Sequence, residues 1–210
     1  MRKMAVVLIF LPMAAFAQDR VLIAALGDSL TQGFGLPEAD GFVPQLQRWL
    51  DAQGESVKMI NAGVSGDTTA GGAARIGWTL TSDVDALMVT LGGNDLLRGL
   101  PPEQARANIE QILSAAQDAQ IPVLLSGLTA PLNYGPEYKR DFEAIYTDLS
   151  EQYGAILYQD FLASLTSDLD REAALATYMQ ADFIHPNADG VAQIVADIGP
   201  FVRSLIERVK

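Results

Sequence analysis

The run Val21-Leu22-Ile23-Ala24-Ala25-Leu26 is the feature that most constrains this chain: six consecutive apolar residues that stop at Gly27 and hand over to Asp28-Ser29-Leu30. A run of that length is too short for a typical helix. It fits one strand buried on both faces, the signature of a parallel sheet covered by helices. Ser29 then falls just beyond the carboxyl end of that strand, the edge along which open α/β sheets bind their ligands. Taken alone, Gly-Asp-Ser reads equally well as a turn in which Asp28 or Ser29 caps the next helix.

Strand and helix patterns alternate along the rest of the chain. Phe42, Leu46, Trp49 and Leu50 recur at helical spacing and predict a helix over residues 41–52. A second strand is expected at 57–60, then a loop, then a helix to about Leu80 capped by Asp67 or Thr68. A third strand is expected over 85–91, followed by Gly92-Gly93-Asn94-Asp95 as a loop. Pro102 opens a helix to 119, because a proline at the first helical position loses no hydrogen bond. Strands at 122–128 and 155–158 flank a helix at 138–153. Residues 188–209 form the closing helix, with Gly199-Pro200 as a candidate kink. Strands joined by single helices require right-handed crossovers, hence an α/β fold of three layers with a mostly parallel sheet.

Residues 1–17 stand apart. Arg2 and Lys3 precede an apolar stretch from Met4 to Phe16, and Ala15-Phe16-Ala17 places small residues where a signal peptidase reads. The expectation is a secretory signal peptide cleaved near Ala17-Gln18, an exported, periplasmic or secreted product, and one domain over 18–210. The stretch is shorter than the ~18 residues that a membrane span needs. The chain has no cysteine, which excludes disulfides and a lipidated cysteine. Its formal charge of −12 becomes −14 when Arg2 and Lys3 leave, and such an acidic body argues against nucleic acid as a partner and against a stable membrane anchor. A small-molecule substrate and a monomer or weak oligomer are expected.

Four strand-end loops carry unusual residues: Gly27-Asp28-Ser29-Leu30, Gly63 to Gly66, Gly92-Gly93-Asn94-Asp95, and Asp182-Phe183-Ile184-His185-Pro186. The last holds the only histidine in the chain. Asp182, three residues earlier, is placed to hold one imidazole nitrogen while the other faces Ser29, the division of labour that nucleophilic serine catalysis needs. Pro186 disfavours helical dihedrals at His185 and keeps the segment turned. Asp182 alone also fits an Asx turn. Donors for an oxyanion are available in the Ser29 N–H, the Gly66 N–H and the Asn94 side-chain amide. With one histidine, no cysteine and no His-Glu-x-x-His pattern, a zinc site is not expected. Asp168 and Asp170 suggest a calcium loop less well than a cap for a helix beginning near Arg171. A flavin-binding sheet is opposed by the carboxylate of Asp28 in the loop that would cradle phosphate.

These blocks resemble, in order, the four motif blocks of the SGNH hydrolases, or GDSL lipases/esterases. The flanks Ala25-Leu26-Gly27-Asp28-Ser29-Leu30-Thr31, Leu91-Gly92-Gly93-Asn94-Asp95 and Asp182-x-Ile184-His185-Pro186-Asn187 are similar to the periplasmic arylesterase / acyl-CoA thioesterase I / lysophospholipase branch. The resemblance implies a flavodoxin-like five-stranded parallel sheet of order 2-1-3-4-5. It implies Ser29 as nucleophile, His185 as general base and then acid, Asp182 as its orienting partner, and Ser29, Gly66 and Asn94 as the oxyanion hole, without cofactor or metal. The implied activity is hydrolysis of carboxylic esters, from aryl to short and medium acyl esters, thioesters or lysophospholipids, through an acyl-enzyme. A carbohydrate O-acetyl esterase is the alternative. Residues 96–100 correspond to a mobile loop near the acyl site and 130–135 to another of its walls. Phe183 departs from the branch, where glycine is expected, and a ring there is expected to narrow the acyl pocket or alter the loop.

Overall fold

The computed structural model describes residues 20–166 and 170–209. The segment read as a signal peptide, and Asp168, lie outside the described residues. Five strands form one parallel sheet of order β2-β1-β3-β4-β5: β1 Val21–Gly27, β2 Val57–Gly63, β3 Ala86–Thr90, β4 Val123–Ser126 and β5 Ile156–Tyr158. This is the expected three-layer sheet, strand for strand.

Registration sets where the loops leave. Gly27 pairs with Gly63 on one side and Thr90 on the other, Thr90 pairs with Ser126, and Ser126 with Tyr158. A single row of residues therefore marks the carboxyl edge across all five strands, and the chain leaves that row into the motif loops. A Cβ on Gly27 would come within 2.0 Å of Thr31 Oγ1 and 2.9 Å of the Thr90 carbonyl, so only glycine allows the chain to turn this sharply out of β1.

The core lies on both faces of the sheet. α2 (Phe42–Ala52) and α8 (Ala188–Glu207) pack together on one face; α3 (Thr69–Thr79), α5 (Pro102–Asp118) and α6 (Pro136–Tyr153) cover the other. α2 turns Phe42, Val43, Leu46 and Leu50 inward, and α8 turns Ile194, Ile198, Val202 and Leu205. Between these layers Ile23, Leu26 and Leu87 are fully buried, each worth about 1.5–3 kcal/mol relative to exposure. α8 runs unbroken through Pro200, so the expected kink does not end it. Asn187 caps it by accepting the Gly190 N–H at 2.9 Å. Among the described residues no helix is long and apolar enough to cross a membrane.

The described residues also hold three short α-helices, α1 Ser29–Gln32, α4 Gly93–Arg98 and α7 Arg171–Tyr178, and single 3-10 turns at Glu38–Asp40, Leu132–Tyr134 and Ala163–Thr166. α7 begins where expected, and Asp170 caps it by accepting the Ala173 N–H at 2.9 Å. α4 was expected as loop. Gly99, in the left-handed region, stops it after six residues and returns its N–H to the Leu96 carbonyl. The cap of α3 also differs. Asp67 pairs with Arg75 instead, and Thr68 makes no capping bond; the Thr69 N–H is taken by Asp95 at 2.8 Å.

Candidate active site

Asp28 and Ser29 divide the two roles that the sequence left open. Asp28 Oδ1 accepts the Leu30 N–H at 3.0 Å and caps α1, which frees Ser29 at the first position of that helix. Ser29 Oγ lies 2.9 Å from His185 Nε2, and His185 Nδ1 lies 2.7 Å from Asp182 Oδ2. A hydroxyl, an imidazole and a carboxylate separated by 156 residues of chain thus form one hydrogen-bonded series. A carboxylate on Nδ1 favours the tautomer that carries its proton there, which leaves Nε2 able to accept from a hydroxyl.

The histidine segment holds itself in place. The Met179–Pro186 bridge closes a small antiparallel loop, the Gln180 N–H donates to the His185 carbonyl at 2.8 Å, and the Phe183 N–H donates to the Gln180 carbonyl at 3.0 Å. Asp182 Oδ1 meanwhile accepts the N–H groups of Ile184 and His185 at 2.9 and 3.0 Å. One carboxylate oxygen thus closes the Asx turn while the other meets the His185 ring. Partial burial raises the affinity of this carboxylate for protons, but the His185 and Ile184 N–H groups and the His185 ring outweigh it and hold Asp182 down at about 2. Phe34 lies against the His185 ring, 4.7 Å between centroids.

Phe183 occupies the left-handed region, φ 54°, directly after the turn closed on Gln180. A turn followed by a left-handed residue is a common way to close a short hairpin, and glycine normally fills that position. This is the physical reason for expecting glycine there. The ring does not narrow the cavity beside Ser29: it is 64% exposed and borders a neighbouring depression instead.

Gly66 and Asn94 come to the same edge. Asn94 Nδ2 donates to Asp28 Oδ2 at 3.2 Å, and because an amide carries two N–H groups, the second is left for the cavity that Asn94 lines. Asp28 is only 2% exposed; burial pushes its carboxyl up to about 6 against the opposing pull of the Leu30 N–H and the Asn94 amide. Gly66 adopts φ 84°, and its carbonyl accepts Arg98 Nη2 at 2.9 Å, which joins this loop to α4. Residues 96–100, read as a mobile loop, are thus largely helix and tied to the Gly66 turn.

Sequence reasoning missed the residues that fasten these loops. Arg75, on α3, donates to Asp67 Oδ2 at 2.7 Å, to the Ala62 carbonyl at 2.7 Å and to the Gly27 carbonyl at 2.8 Å. One guanidinium therefore ties the ends of β1 and β2 to the Gly66 loop, a use of its rigid five-donor fork that lysine cannot reproduce. The signal was available: Arg75 is the only charge in the otherwise apolar and glycine-rich stretch Thr69–Thr79. Asp95 is 1% exposed and binds both the N–H and the hydroxyl of Thr69, linking the Asn94 helix to α3. Tyr146, fully buried, donates its hydroxyl to the Leu91 carbonyl at 2.8 Å, just ahead of Gly92-Gly93, and burial raises its phenol well above the usual value.

Ser29 opens onto a cavity of about 410 Å³, within the range of small-molecule sites, whose walls include Leu30, Leu97, Leu128, Leu162 and Ile184, with Pro131 and Tyr134 from the segment expected as a wall.

The GDSL-like Lipase/Acylhydrolase family model matches residues 25–193. The chain belongs to this family. It is similar to Esterase TesA of Pseudomonas aeruginosa, 34% identical over 200 residues that cover 95% of this chain and 94% of the relative. It is similar also to Thioesterase 1/protease 1/lysophospholipase L1 of Escherichia coli strain K12, 34% identical over 87% of this chain and 82% of that one. Among solved structures, the SGNH-hydrolase family esterase AlinE4 is 40% identical with a TM-score of 0.72, covering 90% of this chain and 98% of its own. The chain is a serine esterase of the SGNH type, and its sheet order is that of this group of hydrolases.

Proposed function

We propose that Ser29 attacks the ester carbonyl while His185 Nε2 takes its proton, with Asp182 holding the imidazole and stabilising its charged form. The oxyanion of the tetrahedral intermediate is met by the N–H groups of Ser29 and Gly66 and by the side-chain amide of Asn94. On collapse the C–O bond to the leaving group breaks, and His185 returns the proton to the departing alcohol. Water, deprotonated by His185, then attacks the acyl-Ser29 carbonyl; the bond from the acyl carbon to Ser29 Oγ breaks, His185 returns the proton to that oxygen, and the carboxylic acid leaves. The cycle needs no metal and no cofactor. What carries this reading is the Ser29–His185–Asp182 series at 2.9 and 2.7 Å. The preformed donors are the larger source of rate: losing one typically costs 10²–10³ in turnover.

The substrates are carboxylic esters with apolar acyl or aryl groups, and thioesters or lysophospholipids within the same pocket. The leucines and isoleucine around Ser29 suit hydrocarbon better than the hydroxyls of an acetylated sugar, which sets the carbohydrate O-acetyl esterase reading second. The acidic body and the leader-like residues 1–17 support export, with cleavage near Ala17-Gln18 and action in the periplasm or outside the cell, away from polyanionic CoA. The test is a hydrolysis panel of aryl acetate, longer aryl esters, lysophospholipid, acyl-CoA and acetylated sugar, run beside Ser29→Ala. Ser29-dependent turnover of aryl esters is expected; activity confined to the acetylated sugar would contradict the reading.

A further inference from the structure

We infer that the depression beyond Ile184 is a second apolar subsite, which takes the distal end of an acyl chain too long for the cavity at Ser29. This rests on the esterase reading above.

Two independent observations lead there. First, a cavity of about 590 Å³ adjoins the catalytic one and shares Leu97, Leu162, Thr166 and Ile184 with it. Beyond that shared saddle its walls are Leu175, Met179 and Phe183, so hydrocarbon crossing from Ser29 would leave one apolar surface only to meet another. Second, Phe183 holds an unfavourable left-handed backbone while presenting most of its ring to solvent. A strained backbone beside a reactive series points to a use for the side chain it carries, and the ring makes one wall of this second cavity. Neither Ser29 nor His185 lines it, so whatever binds there is remote from the bonds being made and broken.

The occupant follows from chemistry and connection. The shared saddle is made of residues that also line the cavity at Ser29, and only one of them, Thr166, is polar. An unbranched hydrocarbon tail meets that description and a charged or hydroxylated group does not; the inferred occupant is the tail of the acyl group, and an ester that carries its chain on the alcohol side separates the two. Each methylene that reaches the cavity adds about 0.8 kcal/mol of transfer energy, close to a fourfold gain, so two or three such groups carry a gain of more than tenfold.

The test compares 4-nitrophenyl dodecanoate with 4-nitrophenyl butanoate, both below micelle formation, in the wild-type chain, in Leu175→Trp, which fills the cavity from α7, and in Phe183→Gly, which removes its outer wall. The ratio of kcat/KM for the long ester over the short one is expected to fall at least tenfold in each variant. Titration of Ser29→Ala with dodecanoate and butanoate gives a second reading that does not depend on turnover, and Leu175→Trp in that background is expected to erase the preference for dodecanoate. An unchanged ratio in both variants overturns the inference. So does a loss seen only with dodecyl acetate, which carries its chain on the alcohol side. If the wild-type chain hydrolyses no ester at all, the esterase reading fails, while the titration still decides the subsite.

Discussion

Asp28 Oδ2 lies 3.2 Å from Asn94 Nδ2, so the residue ahead of the serine holds the side chain that faces the same cavity. Asn94→Ala is therefore expected to lower kcat by 10²–10³ with little change in KM, because the amide acts on charge that develops after binding. Steady-state kinetics on an aryl ester checks this; equal loss in kcat and gain in KM would point to a binding role.

Asp28 gives a separable pair of outcomes. It is buried, and its carboxyl is raised from 3.8 to about 6, so the folded protein holds a proton there that the unfolded chain has released. Stability contributed by this group is greatest below about pH 4 and declines as pH rises to 6, by an amount on the order of 3 kcal/mol. Asp28→Asn cannot titrate there, so its melting temperature is expected to change less than that of wild type between pH 4 and 7.5, and its amide can no longer accept from both the Leu30 N–H and Asn94 Nδ2. Its turnover should fall by at least tenfold, since the acceptor that holds the Asn94 side chain is gone. Thermal melts across pH beside activity at pH 7.5 decide it. A melting temperature that falls with rising pH as steeply as that of wild type would contradict this account.

Asp182 titrates in the opposite sense. Held at about 2 rather than 3.8, it contributes stability above pH 4 that is lost as pH falls toward 2. Asp182→Asn is expected to remove that contribution and to lower kcat by more than 10³, because the amide no longer fixes the imidazole proton on Nδ1. NMR of the single histidine ring in both proteins, followed with pH, reads the change directly.

Phe183→Gly is expected to stabilise the fold by about 1 kcal/mol, since a left-handed non-glycine residue costs on the order of 1–3 kcal/mol. For a domain of this size that is a rise of about 2–4 °C in Tm. A lower Tm would mean that the ring contributes more through packing than its backbone costs.

Arg75→Lys is expected to destabilise by about 2–3 kcal/mol. A single ammonium cannot reach Asp67, Ala62 O and Gly27 O together, and partly buried acceptors are left unmatched. Denaturant unfolding measures it. Loss of stability below 0.5 kcal/mol would show that the three strand and loop ends hold without the fork.

The strands and long helices were legible because their signal is local. Val21–Leu26 is apolar on both faces, and Phe42, Leu46 and Leu50 repeat at the helical period. The four loops were legible as motifs, and the sheet brings them to one edge. What escaped is set by contacts between distant segments. Helix α4 follows two glycines and carries polar residues, so no periodicity marks it; it is fastened through Asp95 to Thr69 and through Arg98 to Gly66. Asp67 looked like a cap because Arg75, eight residues on, was not read as its partner. The left-handed backbone at Phe183 follows from a turn closed by Gln180, and a phenylalanine in sequence gives no sign of it.

The most direct test of the account is the site of covalent modification by a fluorophosphonate, which captures an activated serine and no other. Peptide mapping after reaction is predicted to find one equivalent of label on Ser29, none in Ser29→Ala, and labelling slowed at least 10³-fold in His185→Ala. Label on a different serine, or an undiminished rate without His185, would contradict it.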